Sequence, residues 1–211
     1  IMDLNKHVAK IIGINPAARG TCVKPSGNAS VLLGTSSATS AEHSEYYIRN
    51  VQMSKDQEVA QLIAERCPYM VEESVWSTGR TDYVISFPVV APEGSIFKKD
   101  VKAVEMLEIV KKIQQNWVEY GTDESLCVDK RLRHNVSNTI NVGDDEWDEV
   151  ENFVYDNRDH FAGIAMLGKS GDKDYNQAPM TSVMSETELV EKYGSAALFA
   201  SGLIVDCFQG F

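Results

Sequence analysis

The alternation of β-rich segments with segments of helical periodicity is the feature that most constrains how this chain can fold. The clearest helix follows Asp100, where apolar residues recur every three or four positions and predict one buried stripe. The stripe consists of Ala103, Leu107, Val110, Ile113, Trp117 and Tyr120. Gly121 predicts the end of this helix. Strands separated by helices favour crossover connections, so the pattern predicts an α/β fold with a largely parallel sheet or a barrel.

The same two periodicities predict the other elements. Residues 3–13 and 144–160 are predicted helices, a third runs from a capping box at Ser54 and Gln57 towards Cys67, and the last follows a capping box at Ser185 and Glu188. Predicted strands cover 46–53, 81–90, 134–142 and 161–167. No repeat, low-complexity run or linker marks a boundary, so residues 1–211 are expected to form a single partial domain.

Composition excludes several functional classes. The 211 residues carry a net charge of -11, which argues against a nucleic-acid partner because phosphate binding needs clustered Lys and Arg. No apolar run is long enough to span a membrane, so a cytoplasmic protein without a membrane partner is expected. The four cysteines, Cys22, Cys67, Cys127 and Cys207, are far apart in the sequence. Their spacing predicts reduced thiols and no metal site.

An anion site is predicted where the extended segment Thr21–Lys24 reaches Pro25 and then a small-residue, helix-like stretch. Unpaired backbone N–H groups at a helix start favour a phosphate, and Gly27 lets the backbone approach it closely. Side-chain donors are Ser26, Asn28 and Ser30. The GxxxxGK[ST] order is absent, and an ordinary strand-to-helix turn remains the alternative.

Family resemblance favours the phosphate interpretation. Residues 24–37 read KPSGNASVLLGTSS and are soon followed by YYIR. This run is similar to class II ribonucleotide reductases, which depend on adenosylcobalamin. Further segments resemble that family in the same order, from about residue 20 to the end of the chain: 87–89, the helix ending near Trp117, 133–139, 161–163, 175–179 and 201–206.

The resemblance implies that the chain is the C-terminal portion of a ribonucleotide-reductase-type α/β barrel. It places the phosphates of a ribonucleoside di- or triphosphate against Ser26, Gly27, Asn28, Ala29 and Ser30. The complete enzyme would convert ribonucleotides to deoxyribonucleotides by thiyl-radical chemistry with adenosylcobalamin, although no residue here is assigned to that cofactor. The missing N-terminal part of the reductase is the expected partner. An isolated half-barrel would have unpaired strand edges and an exposed core, so self-association or a compact alternative closure is expected.

The sequence departs from the family at two places. The Asn-x-Cys-x-Glu loop of the radical cysteine is absent, since Asn15-Pro16 continues into two alanines. No catalytic residue is therefore assigned, and the isolated chain is expected to be inactive. The family's Ser-Ser-Gly and following His are also altered, and His43 is expected to be an exposed loop residue. Cys22 is interpreted as a small buried residue.

A second group of candidates lies on the predicted strand 134–142. Strand alternation places Asn135, Ser137 and Thr139 on one side, with His134, Val136 and Asn138 on the other. The first three form a candidate substrate-side strand, and a polar network between strand and helix is the alternative. For the whole chain, the rival hypothesis is a non-catalytic nucleotide-binding or assembly module related to the reductase barrel. Base specificity and the choice between di- and triphosphate stay open.

Overall fold

The computed structural model of the chain describes residues 1–26, 28–33, 35–37, 39–169, 175–183 and 185–193. These residues fall into two compact units. The first unit contains residues 1–25, 39–40 and 101–169, and the second contains the described residues of 26–37, 41–100 and 175–193. That the chain is one partial domain stays a prediction.

The first unit is mainly helical. Its regular elements are α1 (Met2–Ile12), α4 (Ala103–Ile113), β4 (Ile140–Val142), α5 (Trp147–Asp156) and β5 (Met166–Gly168). A π-helix, Gln114–Glu119, continues α4, and short 3₁₀ turns cover Glu124–Leu126 and Arg158–His160. The predicted helices are thus confirmed. α1 ends at Gly13, whose φ of 75° is the left-handed conformation that suits a helix C-terminus.

The core of the first unit lies between α4, α5 and β4. Leu107, Ile140 and Val150 are almost completely buried there. The predicted stripe is confirmed in α4 but wrong beyond it, since Trp117 is 56% exposed. The π-helix explains the difference: its i→i+5 hydrogen bonds break the 3.6-residue period, and Gln114 and Val118 are buried instead.

β4 and β5 pair in parallel, and α5 connects them. This crossover is the arrangement that the alternation predicts. Both strands are shorter than expected: β4 comprises the last three residues of predicted strand 134–142, and β5 begins only at Met166. Residues 134–139 therefore lie outside any strand, which corrects the prediction for Asn135, Ser137 and Thr139.

The second unit is built around an antiparallel sheet. Its elements are α2 (Asn28–Leu33), β1 (Tyr46–Ser54), α3 (Glu58–Arg66), β2 (Val71–Glu73), β3 (Asp82–Val90), β6 (Met180–Ser182) and α6 (Glu186–Tyr193). Short 3₁₀ turns cover Pro68–Met70 and Lys98–Asp100. The strand order is β2-β3-β1-β6. β1 and β3 pair along their full length, from Tyr46 opposite Val90 to Ser54 opposite Asp82.

All three pairings in this sheet are antiparallel, so the expectation of a largely parallel arrangement is wrong here. β1 and β3 were predicted, whereas β2 and β6, each of three residues, were not. The core packs residues of α3 and α6 with the sheet, and its most buried members include Ala60, Ile85 and Leu189. The mixed α/β class is confirmed, but among the described strands neither sheet closes into a barrel.

Two cysteine predictions are wrong. Cys22 is free and exposed rather than buried, and Cys67 is disulfide-bonded rather than reduced. Cys127 is free as expected, and Cys207 lies outside the described residues. Among the described helices none is long and apolar enough to cross a membrane. The described residues include no group of three or more His, Cys, Asp or Glu arranged to hold a metal ion.

Candidate functional site

The predicted phosphate loop lies at the start of α2, in the second unit. Ser26 precedes the helix, Asn28 and Ala29 are its first two residues, and Gly27 lies outside the described residues. Ala29 N–H donates to Ser26 O at 3.2 Å, and the Ser26 hydroxyl donates to Ser37 Oγ at 3.4 Å. The sequence thus correctly predicted an irregular segment followed by a helix.

The two serines of this loop differ in exposure. Ser26 is exposed, whereas Ser30 is only 3% exposed, and its backbone carbonyl accepts from Thr35 N–H at 2.9 Å. A buried hydroxyl contributes to the packing of the loop, while an exposed hydroxyl is available to a ligand from solvent. Substitution of Ser26 is therefore a more specific test of phosphate binding than substitution of Ser30.

The second candidate group lies in the first unit and shows the predicted alternation. Asn135, Ser137 and Thr139 are exposed, while Val136 is fully buried. Asn138 stabilises this extended segment, since its amide donates to Val136 O at 2.7 Å and to Gly163 O at 3.1 Å. One polar side is thus available to solvent, although residues 134–139 form no strand.

His134 connects this segment to the residues that precede the phosphate loop in the sequence. Its Nε2 accepts from Val23 N–H at 2.9 Å, and its carbonyl accepts from the buried Gln114 amide at 3.2 Å. These contacts lie within the first unit, as do Asn135, Ser137 and Thr139, whereas the phosphate-loop candidates belong to the second.

His43 is half-buried, not the exposed loop residue that the sequence predicted. Its Nε2 lies 3.0 Å from Ser182 Oγ, and its ring meets the edge of Tyr47 at 5.6 Å between centroids. Tyr47 in turn donates to the buried Glu42 carboxylate at 3.3 Å. Burial raises the pKa of Tyr47, and the negative charge of Glu42 raises it further, so this phenol stays protonated.

Sequence reasoning missed a cleft on the polar face of the antiparallel sheet. It has a volume of about 780 Å³, and Asn50, Gln52, Trp76 and Tyr175 help to line it. The signal available in the sequence was the pair Asn50 and Gln52, two polar residues that lie on the same face of β1. Periodicity could not show which distant segments complete the cleft.

The comparisons with known proteins agree with the resemblance in the sequence. No protein-family model matches the chain. Over 117 residues the chain is 25% identical to a probable adenosylcobalamin-dependent ribonucleoside-triphosphate reductase of Dictyostelium discoideum, covering 56% of this chain and 15% of that protein. A solved B12-dependent (class II) ribonucleotide reductase is similar over 99% of this chain, with a TM-score of 0.62 and 21% identity.

The resemblance to class II ribonucleotide reductases is confirmed. The solved reductase shows that this chain has the fold of one part of such an enzyme, since the match covers 26% of that structure. The chain thus spans about a quarter or less of the length of the reductases that it matches.

Adenosylcobalamin does not fit either of two clefts that the described residues form. Two clefts, of about 780 and 430 Å³, lie on the antiparallel sheet. Volumes of this order suit drug-sized ligands, and a corrin ring with its nucleotide tail is larger. Among the described residues we therefore assign none to this cofactor.

Proposed function

We propose that this chain is the later part of the catalytic barrel of an adenosylcobalamin-dependent ribonucleotide reductase, and that it binds the substrate phosphates at Ser26, Gly27, Asn28, Ala29 and Ser30. The observation that carries the proposal is the coincidence of a reductase-like sequence over 56% of the chain with a reductase fold over 99% of it. The loop that resembles the family's phosphate loop also has a helix start at the expected position.

The binding chemistry follows from the start of α2, where Ala29 N–H donates to Ser26 O outside the helix at 3.2 Å, a contact that a phosphate oxygen would replace. The first N–H groups of a helix have no partner within the helix, and they attract anions together with nearby hydroxyl donors. Ser26 adds an exposed hydroxyl immediately before the helix. In the longer enzyme, Asn135, Ser137 and Thr139 would present polar groups on the substrate side of the barrel.

The isolated chain positions phosphate but does not reduce nucleotides. Reduction needs the radical cysteine, and its Asn-x-Cys-x-Glu loop is absent from this sequence. Thiyl-radical chemistry at the ribose belongs to the longer polypeptide. Formation of deoxyribonucleotides by the purified chain alone would contradict this part of the proposal.

The proposed partner is the remaining part of the reductase. α1 exposes apolar side chains that a complete barrel would cover, since Leu4 is 64% and Ile11 69% exposed. Apolar surface of this kind favours association, and in the isolated chain it favours self-association.

Calorimetric titration with a ribonucleoside triphosphate tests phosphate binding. We expect saturable binding by the wild-type chain, and binding about tenfold or more weaker in the Ser26→Ala, Ser30→Ala double variant, because a hydrogen bond to a charged group contributes about 1.5–3 kcal/mol. The exposed Thr78 provides a control for the loss of a surface hydroxyl, since Thr78→Ala removes one such group from the second unit. Equal affinity of the double variant and the wild type would contradict the proposal.

A further inference from the structure

The polar face of the antiparallel sheet is crossed by residues 175–179, which we call the strap. Asn50 of β1 and Ser86 of β3 lie opposite each other, and the Ser86 hydroxyl donates to Asn50 Oδ1 at 2.8 Å. The Asn50 amide donates to Ala178 O of the strap at 2.7 Å. Asn50 therefore fixes the strap to the sheet by a hydrogen bond between residues 128 positions apart.

Gln177 anchors the strap at its other side. Its Oε1 accepts from Val75 N–H at 2.9 Å, and its Nε2 donates to Glu73 O at 2.8 Å. Gln177 has a φ of 60°, an unfavourable conformation for a residue with a Cβ. Such a conformation persists where the surrounding contacts determine it, and functional sites are enriched in it.

The strap also fixes two aromatic rings beside the cleft. The Trp76 indole donates to Asn176 O at 3.0 Å, and its ring meets Tyr175 at an interplanar angle of 86° with centroids 5.8 Å apart. Trp76 is nevertheless 62% exposed and Tyr175 43% exposed. The rings form a right-angled corner that is held in place while its surface remains accessible.

The rest of the cleft supplies polar groups. Gln52 donates through Nε2 to Asp82 at 2.8 Å, and within the described part of the chain no hydrogen bond uses its Oε1. Arg49 also lines the cleft, and its guanidinium donates to Pro179 O of the strap at 3.4 Å. The cleft therefore combines an aromatic corner with hydrogen-bonding groups and a positive charge.

We propose that this cleft binds a planar heteroaromatic ring, such as the base of a nucleoside. A flat ring can stack on one aromatic side chain while its face or edge meets the perpendicular one. The hydrogen-bonding edge of a base finds an acceptor in Gln52 and a phenol in Tyr175. Neither a purely apolar ligand nor a sugar alone uses both the aromatic corner and the hydrogen-bonding groups, and the volume of about 780 Å³ accommodates a nucleoside.

The proposal does not depend on the phosphate loop. None of the cleft residues belongs to 26–30, and the ligand is recognised by its ring rather than by its phosphates. A nucleoside without any phosphate therefore tests the cleft alone.

Calorimetric titration of the full chain with adenosine is the experiment. We expect saturable binding, weakened about tenfold or more in Trp76→Ala because the stacking surface is lost. Trp117→Ala is the matched control: Trp117 is 56% exposed but lies in the first unit, so its removal should leave the affinity unchanged. Circular dichroism confirms that each variant is folded.

Two further measurements separate the alternatives. Tyr175→Ala should weaken adenosine binding severalfold, whereas the Ser26→Ala, Ser30→Ala variant should bind adenosine like the wild type. Ribose alone should not bind. The proposal is overturned if adenosine does not bind saturably, if Trp76→Ala binds it as well as Trp117→Ala does, or if ribose binds equally well.

Discussion

Glu146 offers the most direct test of how the first unit is held together. Its carboxylate accepts from Gly143 N–H at 2.7 Å and from Ala103 N–H at 3.1 Å, and lies 3.0 Å from Lys169 Nζ. Ala103 is the first residue of α4, Gly143 follows β4, and Lys169 follows β5. One side chain therefore joins three elements of the unit. We predict that Glu146→Gln is strongly destabilising for an isosteric substitution.

The magnitude follows from the contacts that are lost. The Glu146 side chain is 13% exposed. A glutamine supplies one acceptor oxygen where the carboxylate supplies two, so one backbone N–H loses its partner and Lys169 loses an opposite charge. An unsatisfied buried donor costs about 1–3 kcal/mol, so we expect a loss of about 2 kcal/mol. This corresponds to a decrease in Tm of roughly 4–8 °C.

Thermal and urea unfolding followed by circular dichroism measure the loss. Glu149→Gln is the control, because Glu149 is exposed on α5 and the substitution makes the same change in charge. The control should change the unfolding free energy by less than about 0.5 kcal/mol. Equal stability of the two variants would show that Glu146 does not join these elements.

The same contacts predict a pH dependence. Burial raises the pKa of Glu146, but hydrogen bonds from Gly143 N–H, Lys169 and Ala103 N–H outweigh it, and the pKa falls below its ordinary value of 4.5. The stabilisation is therefore complete above about pH 4.5 and is lost as the pH falls through the lower pKa of the folded state. The stability difference between the wild type and Glu146→Gln should shrink in that acidic range. A difference that stays constant there would contradict the assignment.

Three more predictions follow from packing and backbone conformation. Leu107→Ala should lower the free energy of unfolding, measured in urea, by about 2–5 kcal/mol because Leu107 is fully buried. Ile109→Ala, at a position 40% exposed, should lower it by less than about 1 kcal/mol. Equal losses in the two variants would contradict the described core. Gly13→Ala should lower the unfolding free energy by about 1 kcal/mol because φ is 75° there, and an unchanged stability would refute this. Ile11→Ser should reduce self-association in light scattering more than Ile96→Ser does, although both side chains are similarly exposed; equal effects would exclude α1 as the associating surface.

The sequence predicted those elements whose own residues determine them. α4 has enough turns for its apolar stripe to be unambiguous, and β1 and β3 are long β-rich segments. The prediction of a buried stripe was wrong at Trp117 because the change to a π-helix depends on packing that periodicity does not encode. β2 and β6 were missed because three residues are too few to show a period.

Strand pairing could not be predicted in the same way. The antiparallel direction of β1 and β3 is a non-local property, and the alternation of helices and strands suggested parallel pairing instead. For the candidate site, the alternation at Asn135, Ser137 and Thr139 was correctly predicted from the period of an extended chain. Phosphate binding at residues 26–30 stays a prediction from the resemblance to a family motif. The cleft was not predictable, because Trp76 meets the strap across 100 positions of sequence.

The central claim is that the loop at the start of α2 binds the phosphates of a nucleotide. Two-dimensional amide NMR of the chain during titration with a ribonucleoside triphosphate tests it at the level of single residues. We predict saturable shifts of the backbone amides of residues 26–30, and smaller shifts of the same amides when the nucleoside without phosphates is added. Shifts confined to residues outside 26–30 would contradict the claim.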